Sequence, residues 1–164
     1  MPPRRASAEE SGRMRISAKA DYALRASLEL AAAERPPLKR DEIAEAQRIP
    51  VKFLETILAE LKHAGIVASQ RGSDGGYLLA RPADEITLGD VMRVIEGPLA
   101  SVRDERPEDV SYAGPAEMLQ EVWVALRTSM RAVLDGVTLA EIVDRDLPAR
   151  VAELAADPEA WSSH

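Results

Sequence analysis

The chain contains no cysteine and no asparagine, a single phenylalanine, and only 4% aromatic residues. Without a thiol it can form no disulfide, no thiolate metal site and no sulfur-held iron–sulfur cluster, and it has no cysteine nucleophile. Only two histidines occur, His63 and the last residue His164. No Ser/His/Asp arrangement, phosphate loop or paired-carboxylate motif accompanies them, which argues against an enzyme. No apolar run approaches the roughly 18 residues of a membrane span, and the polar N-terminus lacks the apolar segment of a secretory signal. The expectation is a cytoplasmic protein. Arginine outnumbers lysine 17 to 4, which together with the missing asparagine fits the codon usage of a GC-rich bacterium and not a particular function.

What the sequence does have is an uneven charge. The net charge of −7 over 164 residues would by itself oppose nucleic-acid binding. Residues 13–81, however, hold 12 Lys or Arg against 9 Asp or Glu, whereas residues 82–164 hold 7 against 17. A basic front half on an acidic back half is the distribution expected of a nucleic-acid-binding domain joined to an interaction domain. The length suits one such domain with an appendage.

Hydrophobic spacing divides the chain further. Residues 1–13 are polar, Pro-bearing and without periodicity, and are expected to be a disordered extension. Ser17 reads as the N-cap of a helix running to about Ala33, with Tyr22, Leu24, Leu28, Leu30 and Ala31 as its apolar side and Pro36-Pro37 ending it. A short helix covers Arg40–Gln47. Pro50 then suits the first position of a third helix, Val51–Ala64, which carries Phe53, Leu54, Ile57, Leu58 and Leu61 at helical spacing and stops at Gly65. Helix, short turn and helix, with Lys52, Glu55, Thr56 and Lys62 on the polar side of the second, is the helix-turn-helix pattern, although unrelated helical proteins share it.

Arg71-Gly72-Ser73-Asp74-Gly75-Gly76-Tyr77 follows, between the apolar runs Ile66-Val67-Ala68 and Tyr77-Leu78-Leu79-Ala80. Glycine adopts positive φ without strain, so this is a tight β-hairpin with one arginine at its tip. Alone it could be an ordinary turn; after a helix-turn-helix it reads as a wing. Thr87-Leu88-Gly89-Asp90 is a capping box for a helix Leu88–Glu96, ended by Gly97-Pro98. Residues 99–115 are an acidic loop. From Ala116 to Leu134 an apolar stripe of Met118, Leu119, Val122, Trp123, Leu126, Met130, Val133 and Leu134 calls for a partner: its own domain, or the same helix of a second copy across a two-fold axis. Thr138-Leu139-Ala140-Glu141 caps a short helix Leu139–Val143, so that 116–147 forms a dimerisation unit, and 148–164 is a weakly helical tail. The fold class expected is mainly α with a small β-wing.

An ordered series of short motifs then carries a resemblance. Met14-Arg15-Ile16-Ser17-Ala18-Lys19, Tyr22-Ala23-Leu24, Ile43-Ala44, Phe53-Leu54-Glu55, Leu61, Ala64-Gly65-Ile66-Val67, Arg71-Gly72 with Gly75-Gly76-Tyr77, Leu79-Ala80-Arg81-Pro82 and Val94-Ile95-Glu96-Gly97-Pro98-Leu99 occur in this order. Together they resemble the Rrf-two family of bacterial winged-helix transcription regulators, the IscR, NsrR and CymR type. The resemblance is close over 14–99 and resumes at Trp123 and Thr138-Leu139. It implies a homodimer that binds double-stranded DNA at a near-palindromic operator, with residues 1–13 preceding the family's usual start at Met14.

It also implies roles. Glu55 matches a base-reading glutamate of the recognition helix, and Arg71 matches a wing arginine that enters the minor groove. A carboxylate can accept from cytosine N4, and arginine suits the negative potential of a narrow minor groove. The DNA-facing set is then Lys19, Tyr22, Arg25, Val51, Lys52, Phe53, Glu55, Thr56 and Lys62, with Arg15 as a further phosphate contact and Arg71, Gly72, Gly75 and Gly76 in the wing. The dimerisation set is Met118, Val122, Trp123, Leu126, Met130 and Val133. Three departures stand out. Pro50 and Lys52 replace serines that many members have, and Ala20-Asp21 replaces a small-basic pair. Between Leu99 and Val122, where many members place three cysteines around an iron–sulfur cluster, there is none. Asp104, Glu105, Glu108 and Asp109 could hold a hard cation, but an acidic loop is more simply a solvated one. No cofactor is expected, and the protein falls with members that respond to a small-molecule effector or a partner protein. A winged-helix adaptor that contacts proteins instead of DNA is the alternative.

Overall fold

Ser17 opens the first helix as its sequence requires: its Oγ accepts the Ala20 N–H at 3.0 Å. A computed structural model describes residues 15–163; the extension expected at 1–13 lies outside the described residues. The elements are α1 (Ala18–Ala32), α2 (Arg40–Gln47), α3 (Val51–His63), the strands β1 (Val67–Gln70) and β2 (Gly76–Leu79), α4 (Leu88–Glu96), α5 (Leu119–Leu134), α6 (Leu139–Val143) and α7 (Ala149–Ala156). Short 3₁₀ turns lie at Ala83–Glu85, Gly114–Ala116 and Pro158–Trp161. The architecture is therefore mainly α with a two-stranded wing, and among the described residues no helix is long and apolar enough to cross a membrane.

α1 is the centre of the packing and touches α2, α3, α4, α6 and β2. Of the apolar side expected from spacing, only Leu30 reaches the innermost face. Ala20, Ala23, Ala26, Ser27 and Leu30 are buried, and Tyr22, Leu24, Leu28 and Ala31 only flank the core. Small side chains let several helices approach one axis closely, and larger residues fill the spaces between them. Those fillers are Ile43 from α2, Leu54, Ile57, Leu58 and Leu61 from α3, and Ile86, Val91 and Leu139 from further on, nearly all fully buried. At about 1.5–3 kcal/mol for each large apolar side chain removed from water, they fix α3 firmly.

The turn between α2 and α3 is set by Arg48, whose φ of 52° and ψ of 47° are left-handed. That conformation directs the Ile49 N–H back to the Ala44 carbonyl (2.9 Å) and buries Ile49 beneath the turn. Pro50 sits one position earlier than expected, as the N-cap of α3.

The wing pairs Val67 with Leu79 and Gln70 with Gly76, antiparallel. Sequence spacing missed a third piece: Leu38 bridges to Tyr77, with N–H to carbonyl distances of 2.9 and 2.7 Å in the two directions. This seats the wing against the start of α2. A side chain at Gly76 would collide with the Leu38 carbonyl, so the close approach needs glycine.

The C-terminal half differs from expectation in three ways. α5 begins at Leu119, after a 3₁₀ turn, and not at Ala116. α6, expected in a separate dimerisation unit, returns to the first core: Leu139 is fully buried, and α6 packs on α1. The cause is a bridge between Thr87 and Thr138, in which Leu88 N–H donates to Val137 O and Leu139 N–H donates to Ile86 O, both at 2.9 Å. Both threonines then cap their helices with the same reciprocal box, to Asp90 and to Glu141. Finally, the tail forms α7 and a 3₁₀ turn in which Trp161 Nε1 donates to the Ala155 carbonyl at 2.6 Å, while Leu154 and Trp161 stay exposed.

Replacing Arg48 with glycine tests the turn. It relieves about 1–2 kcal/mol of left-handed strain against about 0.5–1 kcal/mol of added chain entropy in the unfolded state. Urea unfolding is expected to show a net gain of about 0.5–1 kcal/mol; a loss would show that Arg48 makes a compensating contact.

Candidate nucleic-acid interface

The amphipathic pattern of α3 divides it cleanly. With Leu54, Ile57, Leu58 and Leu61 buried, the outward side presents Val51, Lys52, Glu55, Thr56, Ala59 and Lys62. Lys52 and Lys62 have no ion-pair partner among the described residues. Phe53, expected inward by spacing, is instead 56% exposed. It leans on Tyr22 of α1, with ring centroids 6.2 Å apart and planes at 54°. The four buried residues already fill the α3 side of the core, so Phe53 falls on the seam between α1 and α3.

The sequence-expected cations divide into two groups. Arg25 is drawn inward: its guanidinium lies 4.9 Å from the Tyr22 ring centroid, its Nε is 2.9 Å from Asp21 Oδ2, and its Nη1 donates to the Gln47 carbonyl at 2.6 Å. Gln47 in turn donates to Glu29 Oε1 at 2.5 Å, so this group ties the end of α2 to α1. Lys19 is 2.7 Å from Glu60 Oε1 on α3. Asp21, the departure from the basic pair of the resemblance, is therefore the partner of Arg25. The wing tip is the outward group. Arg71 and Gly72 are exposed, Gly72 has a φ of 102°, and Gly75 N–H donates to the Gly72 carbonyl at 3.0 Å. Gly75 is buried, and a side chain there would strike the Gln70 carbonyl. The tip can form only with these glycines, and it leaves Arg71 and Asp74 exposed, with Arg71 as its one cation.

One residue that touches this face gave no signal in the sequence. Arg40, at the start of α2, donates through Nε to Asp41 Oδ1 (3.0 Å) and through Nη1 to Glu55. The hydrogen bond to Asp41 and its charge, and then the charge of Glu55, favour the protonated guanidinium. Arg40 lies 15 positions before Glu55 in another helix, and no periodicity links the two.

α5 has no buried residue. Met118, Leu119 and Val122 are 62%, 38% and 53% exposed, while Trp123, Leu126, Met130 and Val133 are half-buried. Its other side holds the acidic loop in place. Trp123 Nε1 donates to Tyr112 Oη at 2.9 Å, Gln120 Nε2 donates to the Glu108 carbonyl at 3.0 Å, and Arg127 pairs with the Glu108 carboxylate. The loop is not merely solvated: Leu99, Pro107 and Val110 are buried beneath it. Arg93 clamps the far end of α5 through both oxygens of Asp135, at 2.7 and 2.6 Å.

An exposed helix face next to a glycine-built wing defines a winged helix-turn-helix protein. The family model described as "Rrf2: Iron-dependent Transcriptional regulator" matches residues 16–145, and the chain belongs to the Rrf2 family. It is 52% identical to the HTH-type transcriptional regulator Rv1287 of Mycobacterium tuberculosis over 92% of this chain and 94% of that one. It is 36% identical to the HTH-type transcriptional regulator CymR of Bacillus subtilis over 79% of this chain and 89% of that one. Among solved structures, B. subtilis CymR, the global cysteine regulator, superposes with a TM-score of 0.68 over 81% of this chain and 98% of its own at 36% identity. T. potens IscR gives 0.66 over 92% and 93% at 30% identity. The family description names iron, but the residues here do not fit a thiolate-held cluster. The chain has no cysteine, and among the described residues no three His, Asp or Glu side chains converge on a metal position.

The loop anchor makes a pH prediction. Its own backbone N–H, and then Arg127, hold the Glu108 carboxyl below the ordinary value of 4.5. A carboxyl lowered on folding stabilises the fold above its unfolded value, and that contribution is lost as pH falls through the folded one. The melting-temperature gap between wild type and Glu108→Gln is therefore expected to shrink as pH falls from about 6 to about 3. A gap that stays constant across that window would contradict the anchor.

Proposed function

We propose that this chain is a homodimeric repressor that binds a near-palindromic operator and works without an iron–sulfur cluster. The observation that carries the reading is the juxtaposition of an exposed α3 face with Arg71 on the wing, in a chain whose α5 leaves an apolar stripe uncovered. Two copies joined along α5 place two recognition helices in successive major grooves about 34 Å apart. Lys52 and Lys62 contact phosphates, with Lys19 joining them once it exchanges Glu60 for DNA, and Arg25 acts from behind by holding Tyr22 in place. Glu55 and Thr56 face base edges, Val51 and Phe53 offer apolar contact of the kind a thymine methyl accepts, and Arg71 enters the flanking minor groove. Occupying a promoter in this way represses by excluding polymerase. The place of action is the cytoplasm, where bacterial DNA lies.

The signal enters near the α5 side. A cleft of about 270 Å³ lies between the loop and α5, lined by Glu96, Leu99, Asp104, Arg106, Pro107 and Arg127. A small molecule or partner protein that engages this loop acts directly on the dimer helix, since Glu108, Gln120, Trp123 and Arg127 join the two.

Selection of bound sequences from random DNA, followed by affinity measurements across salt concentrations, tests the reading. Arg71→Ala is expected to weaken operator binding by about 1–3 kcal/mol; unchanged affinity would remove Arg71 from the interface. Equal affinity for selected and random DNA would instead favour the adaptor reading.

The dimer has its own test. Val122→Glu is expected to give monomers in sedimentation and to lower operator affinity at least about tenfold, because the two half-sites are no longer engaged by one linked unit. A variant that stays dimeric would place the two-fold contact elsewhere.

A further inference from the structure

The base-reading carboxylate proposed for α3 does not stand free. Arg40 reaches across from the first turn of α2, with Nε on Asp41 Oδ1 at 3.0 Å and Nη1 on Glu55 Oε1. The two helices that carry this contact are locked together through Ile43 and Ala44 on one side and Leu54, Ile57 and Leu58 on the other, all buried. The start of α2 is in turn pinned to the wing by the Leu38–Tyr77 bridge. Arg40 thus sits where the recognition helix and the wing meet, while its side chain remains 39% exposed and that of Glu55 52% exposed.

Two physical consequences follow. A glutamate at the tip of several rotatable bonds loses orientational freedom when one oxygen is held, and a fixed acceptor discriminates between donors better than a mobile one. Duplex DNA also carries one negative charge per about 1.7 Å of axis, so an unpaired carboxylate in the groove is repelled. A guanidinium on Oε1 removes much of that repulsion. It leaves Oε2 with no hydrogen-bond partner among the described residues and open to accept from a base amino group.

We propose that Arg40 is a specificity-determining positioning residue, which holds Glu55 so that its remaining oxygen accepts from a cytosine N4 amino group in the operator. Asp41 fixes the other edge of the guanidinium and so sets the angle from which Arg40 approaches. This rests on the reading that α3 contacts bases through Glu55.

The test uses the full chain and operators selected from random DNA. Relative affinities for all four bases at each operator position are measured for wild type, Arg40→Ala, Glu55→Ala and the double variant. Arg40→Ala is expected to relax preference about tenfold at the position that Glu55→Ala also relaxes, and nowhere else. The double variant is expected to match Glu55→Ala at that position, because the arginine acts only through the glutamate. Arg40→Ala that weakens every sequence alike, lowers the salt slope by about one phosphate contact and leaves preference intact would overturn the proposal and make Arg40 a backbone contact. Independent, additive losses in the double variant would overturn it too. A Glu55→Ala protein with wild-type preference at every position would instead remove the underlying reading. Should Arg40→Ala fold poorly, Arg40→Gln, which keeps the stem but lacks the charge, is expected to relax the same position.

Discussion

Everything at the DNA face depends on how closely helices can crowd one axis. α1 presents Ala20, Ala23, Ala26 and Ser27 inward, fully buried, and α2, α3, α4 and α6 all pack on it. The buried Ser27 hydroxyl makes no outside demand, since it donates to the Ala23 carbonyl at 2.8 Å within its own helix. A methyl-sized face sets short interhelical distances, and those distances fix where α3 stands relative to the wing. A leucine at any of these positions would move the recognition helix, whatever happened to stability, because a close-packed interior transmits a volume change to its neighbours.

The same axis explains how an acidic chain presents a basic face. Four of the nine acidic residues of the front half are drawn into ion pairs: Asp21 with Arg25, Glu60 with Lys19, and Asp41 and Glu55 with Arg40. Lys52, Lys62 and Arg71 are left facing outward. Exposed pairs of this kind add little to stability, typically about 0–1 kcal/mol. Their weight lies in orientation, since Lys19–Glu60 and Arg40–Glu55 each join two helices. The excess acidity lies in residues 82–164, in the loop and beyond.

Much of this was legible in the sequence because it rests on local chemistry. Ser17, Thr87 and Thr138 announce helix starts through their own caps, and α2 and α3 end within a residue of the positions that their turn residues imply. The glycines at 72, 75 and 76 announce the wing, and the motif order announces the family. What was hidden depends on contacts between distant segments. Phe53 has helical spacing with the core leucines but is displaced to the α1 seam once four residues fill the core. Leu38 gives no strand signal, being a single residue paired with Tyr77. α6 looks like part of a separate unit until the Thr87–Thr138 bridge returns it to α1. Arg40 and Glu55 share no element and no period. Residues 148–164 read only as a weakly helical tail, although α7 forms there and leaves Leu154 and Trp161 exposed.

The central claim is that two copies present α3 and the wing to one duplex. Hydroxyl-radical footprinting of the full chain on an operator selected from random DNA tests it most directly. The account predicts two protected segments related by two-fold symmetry, with the recognition-helix contacts about one helical turn apart and a minor-groove protection flanking each where Arg71 enters. A single asymmetric patch, or protection no different from that on random DNA, would contradict it.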